Sequence, residues 1–239
     1  MKKLIAVMIA AVMMQLASAQ VKEGKIVFEE TVDMHRRIPK ENEQMKAMVP
    51  QFRTTKFELS FADNKSLYKA AEEEPDLADQ QQGGGIVMKF SGSDNIFYKD
   101  LTTQTSIEKR NLMEKEFIVE DSIRNISWKL ADGETKTIAG HSCKKATGKS
   151  PMGADIVAWY AEDILLSSGP AQFGGLPGLI LAMDVNNSEF VYTATIISKD
   201  VKKSELKAPT KGKKVTPAEF AKIRKELMGD GGPIKIVTN

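Results

Sequence analysis

Two short runs, LILAMDV at Leu179–Val185 and FVYTATIIS at Phe190–Ser198, decide the fold class of this chain. Both runs are rich in β-branched and aromatic residues, which favour strands over helices. Asn186-Asn187 lies between them and is a turn signal. The pattern therefore predicts two neighbouring strands joined by a tight turn.

The same alternation of apolar and polar residues recurs along most of the chain. It is clear at Gly24–Asp33, where Ile26, Phe28 and Val32 fall on one face. Further strands are predicted at residues 57–61, 66–70, 86–90, 95–99, 103–107, 116–119, 126–130, 135–139 and 154–160. About ten strands at this spacing predict a β-dominated α+β fold with a curved, partly closed antiparallel sheet.

The C-terminal region changes to a helical period. Residues 216–219 (TPAE) have the arrangement of a capping box, with proline at the first helical position. Apolar side chains then recur on one face, at Phe220, Ile223 and Leu227, before a glycine. The pattern predicts an amphipathic helix over residues 216–229 that packs on the sheet.

Residues 1–19 have the three parts of a cleavable secretory signal peptide. Lys2 and Lys3 supply the positive start, an apolar run follows, and small residues precede a cleavage site after Ala19. The apolar run has about eleven residues, whereas a helix that crosses a bilayer needs about twenty. The protein is therefore predicted to be secreted or periplasmic.

The rest of the chain divides by composition. Residues 20–198 are predicted as the β domain, and within it the acidic and Gly-rich stretch 72–85 as a flexible loop. A Lys-rich linker is predicted at 199–215, and a short tail at 230–239.

Export also removes the small positive charge of the chain. The formal net charge is +2, and the predicted signal peptide carries two lysines and no acid, so the mature protein has a net charge of zero. A balanced charge gives no reason to expect nucleic acid as a partner. No later apolar run is long enough to cross a membrane, so no transmembrane segment is predicted in the mature chain.

Cys143 is the one cysteine of the chain, so no internal disulfide is possible. Three interpretations stay open for it: a buried core side chain, a reactive or modified thiol, or a link to another chain. His141 and Cys143 form an H-x-C pair, but no further motif supports a metal site or a thiol enzyme. The sequence predicts no catalytic residue, no metal and no cofactor.

The stretch at residues 169–181 (GPAQFGGLPGLIL) is unlike the rest of the chain. Pro177 fixes its own φ, and Gly178 can adopt the positive φ of a type II turn. Apolar residues on both sides predict that this turn packs against the core. The hexapeptide is Gly175-Leu176-Pro177-Gly178-Leu179-Ile180.

This hexapeptide and its flanks resemble the GLPGLI family of secreted Gram-negative proteins. The flanking residues that also fit the family are Cys143, Trp159, Tyr160, Gly169, Pro170 and Phe173. The resemblance implies an exported envelope protein with a sheet-dominated body. It implies no chemistry, because the family is named for its motif. The sheet-plus-helix pattern is also similar to the periplasmic lipoprotein carriers, which is an analogy of fold.

These observations favour a non-catalytic binding or carrier module for an apolar small molecule. The alternative is a structural or accessory protein that binds another envelope protein in an outer-membrane transport or secretion assembly. A thiol-dependent enzyme is the third hypothesis. Asp121-Ser122-Ile123 resembles a short O-glycosylation acceptor of Gram-negative envelope systems, so Ser122 is a predicted modification site.

Overall fold

The computed structural model describes residues 20–72 and 94–228. The described chain contains twelve strands and, at its C-terminal end, one α-helix, α1, at Pro217–Met228. The strands are β1 (Gly24–Asp33), β2 (Phe52–Ala62), β3 (Lys65–Ala70), β4 (Ile96–Asp100), β5 (Thr105–Leu112), β6 (Lys115–Ser122), β7 (Lys129–Ile138), β8 (His141–Lys149), β9 (Asp155–Ala161), β10 (Leu179–Val185), β11 (Phe190–Ser198) and β12 (Lys213–Val215). Short 3₁₀ turns occupy Met34–Arg37, Lys40–Ala47 and Lys203–Glu205.

All twelve strands form one sheet in the order β12-β6-β5-β4-β3-β2-β1-β11-β10-β9-β8-β7. Neighbouring strands are antiparallel except for β12, which runs parallel to β6. Among the described residues β7 and β12 lie at the two ends and do not pair with each other, so the sheet is not closed. The predicted β-dominated α+β class is confirmed, whereas the predicted count of about ten strands is too low.

The sheet curves around the segment between β9 and β10, residues 162–178, which we call the inner loop. Lys99 on β4 contacts Phe173 of this loop, and Trp128, next to β7, donates a hydrogen bond to the carbonyl of Gly174. β4 and β7 are eight strands apart in the sheet, which is about 38 Å in a flat sheet at about 4.8 Å per strand. Two side chains from such distant strands meet adjacent loop residues only because the sheet bends strongly.

The main hydrophobic core fills the inside of this bend. Ile26, Phe28, Leu59 and Phe61 on the first strands are fully buried on the inner face of the sheet. On the other side of the core, β10 is buried on both of its faces along nearly its whole length. The inner loop thus takes the place that a core helix takes in other α+β folds.

The strand predictions hold for most of the described chain, and the exceptions have local causes. The predicted strands 126–130 and 135–139 are one strand, β7, whose register shifts between Leu130 and Thr135. The sequence did not predict β8, because His141–Lys149 is mostly polar and lacks the usual alternation. Residues 1–19, the predicted strand 86–90, nearly all of the 72–85 loop and the 230–239 tail lie outside the described residues.

The C-terminal region combines a predicted helix with an unpredicted strand. The capping box is present, since Glu219 accepts a hydrogen bond from the Thr216 N–H and the Thr216 hydroxyl accepts one from the Glu219 N–H. Phe220 packs edge-to-face on Phe117 of β6, with ring centroids 5.6 Å apart. The predicted linker 199–215 contains β12, and its Leu206 is buried against the outer face of the sheet. No helix in the described ranges is long and apolar enough to cross a membrane.

Candidate functional site

The hexapeptide at residues 175–180 forms the end of the inner loop and the start of β10, and most of it is buried. Leu176, Leu179 and Ile180 are almost completely buried. Gly178 has φ +149°, and a Cβ at this position would lie 2.2 Å from the carbonyl oxygen of Ala161. The Gly178 N–H bonds to the Leu176 carbonyl, so the turn is a γ-turn centred on Pro177 and not the predicted type II turn.

Lys99 on β4 attaches the inner loop to the sheet through hydrogen bonds. Its ammonium is buried and donates to the Ser168 hydroxyl at 3.2 Å, to the Gly169 carbonyl at 3.4 Å and, in a shorter bond, to the Phe173 carbonyl. Ser66 on β3 adds a hydrogen bond to the same Ser168 hydroxyl. Burial lowers the pKa of Lys99 to about 7, and Glu108 opposes part of this decrease. The three ammonium hydrogens are all used, so Lys99 is a clamp within the protein.

Cys143 is in the core and has no base beside it. Burial, with Asp163 as a second cause, raises the pKa of its thiol to about 11. The thiol faces the backbone carbonyl of His141 at 3.6 Å, while the His141 ring bonds to Asp163 through Nδ1 at 2.7 Å. The histidine is therefore paired with a carboxylate and not with the thiol. Of the described residues, no three His, Cys, Asp or Glu side chains are grouped closely enough to hold a metal ion.

The other flanking residues of the motif support the inner loop, apart from Trp159. Tyr160 and Pro170 are buried, and Gly169 lies so close to Ile180 that a Cβ would approach its side chain to 2.8 Å. Trp159 is half-buried, with the Lys136 ammonium 5.9 Å from its ring centroid. Phe173 is buried and also lines the cleft described next.

The inner loop covers only part of the inner face of the sheet, and the uncovered part forms a cleft of about 880 Å³. Its walls come from the ends of β5, β6, β10 and β11, from the residues around Ser150–Ala154, and from the start of α1. The aromatic residues that line it are Phe173, Phe190, Tyr192 and Phe220. A volume of this size is within the usual range for small-molecule sites. Ser122 lies exposed at its edge, where its predicted modification stays a prediction.

The charged side chains of the cleft balance each other. Arg110 forms an ion pair with Glu108 at 2.7 Å, and Arg124 forms one with Asp121 at 2.6 Å. Lys99 and Glu189 also line the cleft, one cation and one anion that are not paired with each other: Lys99 has Glu108 as its charged neighbour, and Glu189 interacts with Arg37. The cleft therefore offers an apolar wall and fixed polar groups without a net charge.

Beside Tyr192 the inner face carries a partly buried carboxyl group. Glu30 on β1 is the direct cross-strand neighbour of Tyr192 on β11. Burial raises the pKa of Glu30 to about 7, although the charges of Arg37 and Arg53 oppose the increase. Tyr68 interacts electrostatically with both groups, and its hydroxyl is buried without a hydrogen-bond partner among the described residues.

The sequence does contain a signal for Glu30, although neither the composition nor a motif points to it. Ile26, Phe28 and Val32 were recognised as the apolar face of β1, and Glu30 occupies the position between them on that face. A carboxyl group on the core face of a strand is unfavourable unless it has a partner or a function. The residues that line the cleft come from seven separate segments, which no local pattern connects.

Comparison with known proteins gives one family and one fold. The family described as "N-glycanase peptide, N-terminal domain" matches residues 94–218, which is more than half of the chain. Two crystal structures of PNGF-II, in space groups P21 and C2, are similar to 85% of the chain with a TM-score of 0.56 and 15% and 14% identity. The chain spans about a third of PNGF-II, 33% and 32% in the two structures. No curated protein matches the chain.

Proposed function

The chain belongs to the family described as "N-glycanase peptide, N-terminal domain", and on this premise we propose that it is a non-catalytic binding module whose ligand site is the cleft. The observation that supports this proposal is the cleft itself, an open pocket of about 880 Å³ with an aromatic wall, left where the inner loop ends. The resemblance to the GLPGLI family and the signal peptide stay predictions, and we propose export on the strength of the latter.

The lining changes the expected chemistry of the ligand. A purely apolar ligand was predicted from the sheet and helix pattern, but six charged side chains line the cleft. Covering these groups with hydrocarbon would remove them from water, which is costly even for charges that are ion-paired. The ligand that fits is amphipathic, with an apolar part against Phe173, Phe190 and Phe220.

Binding of a neutral fluorescent probe tests the site. N-phenyl-1-naphthylamine should gain fluorescence with the wild-type protein as its apolar rings enter the cleft. Ala154 lines the cleft, so Ala154→Trp should narrow it and reduce the gain. Thr193→Trp is the matched control, because Thr193 is exposed on the opposite face of the sheet next to Tyr192. Equal fluorescence of the two variants would reject the cleft as the site.

A second candidate function rests on the relation to PNGF-II. The chain corresponds to about a third of that protein, so the same fold also exists joined to a larger partner. We propose, as the alternative, an accessory module that binds glycoproteins for a separate enzyme. Retention of an intact glycoprotein on the immobilised protein, but not of its deglycosylated form, would favour this function. Equal behaviour of both forms would reject it.

The accessory role in a transport or secretion assembly has less support. Such a role would favour an open, apolar sheet edge that can pair with another chain. The edge strand β7 instead carries Lys129, Asp132, Glu134 and Lys136, and its register is interrupted. Charges and irregularities of this kind protect an edge against pairing.

A further inference from the structure

The inner face of β5 is polar where it lines the cleft. Ser106, Glu108 and Arg110 alternate along this strand, so their side chains lie on one face, and all three line the cleft. On the side of β11 the lining residues are the aromatic Phe190 and Tyr192. Burial raises the pKa of Tyr192, and the charge of Arg110 opposes part of this increase, so Arg110 lies near the aromatic side. The cleft therefore has a polar wall in β5 and an aromatic wall in β11.

Glu108 and Arg110 form an ion pair that uses only part of each group. The Arg110 Nε donates to Oε2 of Glu108 at 2.8 Å, and Nη2 lies 2.7 Å from the same oxygen. Among the described residues no hydrogen bond uses the other carboxylate oxygen, Oε1, or the Nη1 of Arg110. The Glu108 side chain is 19% exposed and that of Arg110 28%. Because both residues line the cleft, the pair offers an acceptor and a donor to a molecule bound there.

The orientation of the pair is fixed by its neighbours. The guanidinium carbon of Arg110 lies 4.7 Å from the centroid of the Phe97 ring, which is a cation–π contact. Phe97 is buried on β4 and is the direct cross-strand neighbour of Glu108. A polar group that is already oriented loses little conformational freedom when a ligand binds, so it can discriminate between ligands.

The charges of the cleft favour an uncharged ligand group. Each of the other charges that line the cleft has a neighbour of opposite charge: Asp121 has Arg124, Lys99 has Glu108 and Glu189 has Arg37. A charged ligand group would have to displace one of these neighbours or remain without a counter-charge, which is unfavourable in a partly dehydrated site. An uncharged group that both donates and accepts a hydrogen bond needs no such exchange.

We propose that Glu108 and Arg110 determine the specificity of the cleft and bind an uncharged head group that both donates and accepts a hydrogen bond, with Glu108 Oε1 as the acceptor and Arg110 Nη1 as the donor. The inference rests on the proposed function, because the apolar part of the ligand occupies the cleft beside Phe190. An alcohol and a primary amide share this chemistry. An ether lacks the donor, and a carboxylate or an ammonium ion carries a charge.

Displacement of N-phenyl-1-naphthylamine by five compounds of similar size tests this specificity in the wild-type protein. Octan-1-ol and its isomer 1-methoxyheptane differ in the hydroxyl donor, octanamide supplies the amide, and octanoate and octylammonium supply the two charges. We expect octan-1-ol or octanamide to bind about tenfold more tightly than the ether and both ions, and the tighter of the two identifies the head group. If the ether or either ion binds as tightly as the better of the two, the inference is overturned and the cleft stays an apolar site. Failure of the probe itself to bind would instead overturn the proposed function.

Two variants connect the specificity to the named ion pair. Glu108→Gln leaves Arg110 without its counter-charge, so the affinity for octanoate should rise about tenfold, and Arg110→Gln should raise the affinity for octylammonium in the same way. Glu134→Gln is the matched control, because it breaks the ion pair with Lys145, and neither of these residues lines the cleft. It should bind both ions like the wild type. Unchanged affinities for the ions in both Glu108→Gln and Arg110→Gln would refute the assignment.

Discussion

Replacing Glu30 by glutamine should make the protein more stable, and the gain should depend on pH. In the folded protein the pKa of Glu30 is raised by burial from 4.5 to about 7. Below pH 4.5 the carboxyl is protonated in both the folded and the unfolded state, so it causes no difference in stability. Between pH 4.5 and 7 only the unfolded state loses the proton, and the free energy of unfolding therefore decreases.

The size of the effect follows from the two pKa values. The gap between 4.5 and about 7 corresponds to about 3 kcal/mol of lost stability above pH 7. Glutamine keeps the shape of the side chain and removes the charge, but its amide is also polar and retains part of the burial cost. We therefore expect Glu30→Gln to raise the free energy of unfolding by about 1–3 kcal/mol at pH 8 and by much less at pH 4.

Urea denaturation followed by circular dichroism at pH 4 and pH 8 measures this difference. Glu29→Gln is the matched control, because Glu29 is the next residue on β1 and faces the outer side, opposite exposed Thr193. It should leave the free energy of unfolding nearly unchanged at both values. If Glu30→Gln and Glu29→Gln have the same stability at pH 8, the reasoning about the buried carboxyl is wrong.

Three further results are expected. The folded-state pKa of Lys99 is lowered from 10.5 to about 7, so above pH 7 the unfolded chain binds more protons than the folded protein. The free energy of unfolding should therefore rise by about 2 kcal/mol from pH 7 to 9. Urea denaturation over this pH range should show the rise in the wild type and not in Lys99→Met. Gly178→Ala should destabilise the protein by about 3 kcal/mol or more, since its Cβ would overlap the Ala161 carbonyl. Gly133→Ala, at φ +79° and with open space around the position, should cost only about 1–2 kcal/mol; thermal unfolding of both variants measures the difference. The Cys143 thiol, with a pKa of about 11, should resist iodoacetamide at pH 8 and react fully in urea, and rapid labelling of the native protein would contradict its burial.

The sequence predicted those parts of the fold that depend on local pattern. β1 was predicted with its observed bounds, and the helix was predicted to within two residues, because alternation and a capping box are local signals. β12 was not predicted, since three residues that pair with a distant strand, β6, have no periodicity of their own. The curvature of the sheet was predicted only as a class, while its cause, the inner loop clamped by Lys99, depends on contacts about seventy residues apart.

For the candidate site, the difference between what local sequence patterns predict and what they miss is larger than for the fold. The residues 175–180 are singled out by their unusual sequence, and in the structure Leu176, Leu179 and Ile180 are core residues, whereas Gly175 and Pro177 are exposed. They are not among the residues that line the cleft. Only Phe173 and Ser122 among the predicted residues line the cleft. Glu30 was the residue whose local sequence broke a rule, because it placed a charge on an apolar face.

The crystal structure of the protein with N-phenyl-1-naphthylamine tests the central claim most directly. We expect the apolar rings of the probe to lie between Phe173, Phe190 and Phe220. The claim would be contradicted if the probe, at a concentration that saturates its fluorescence, were bound outside the cleft.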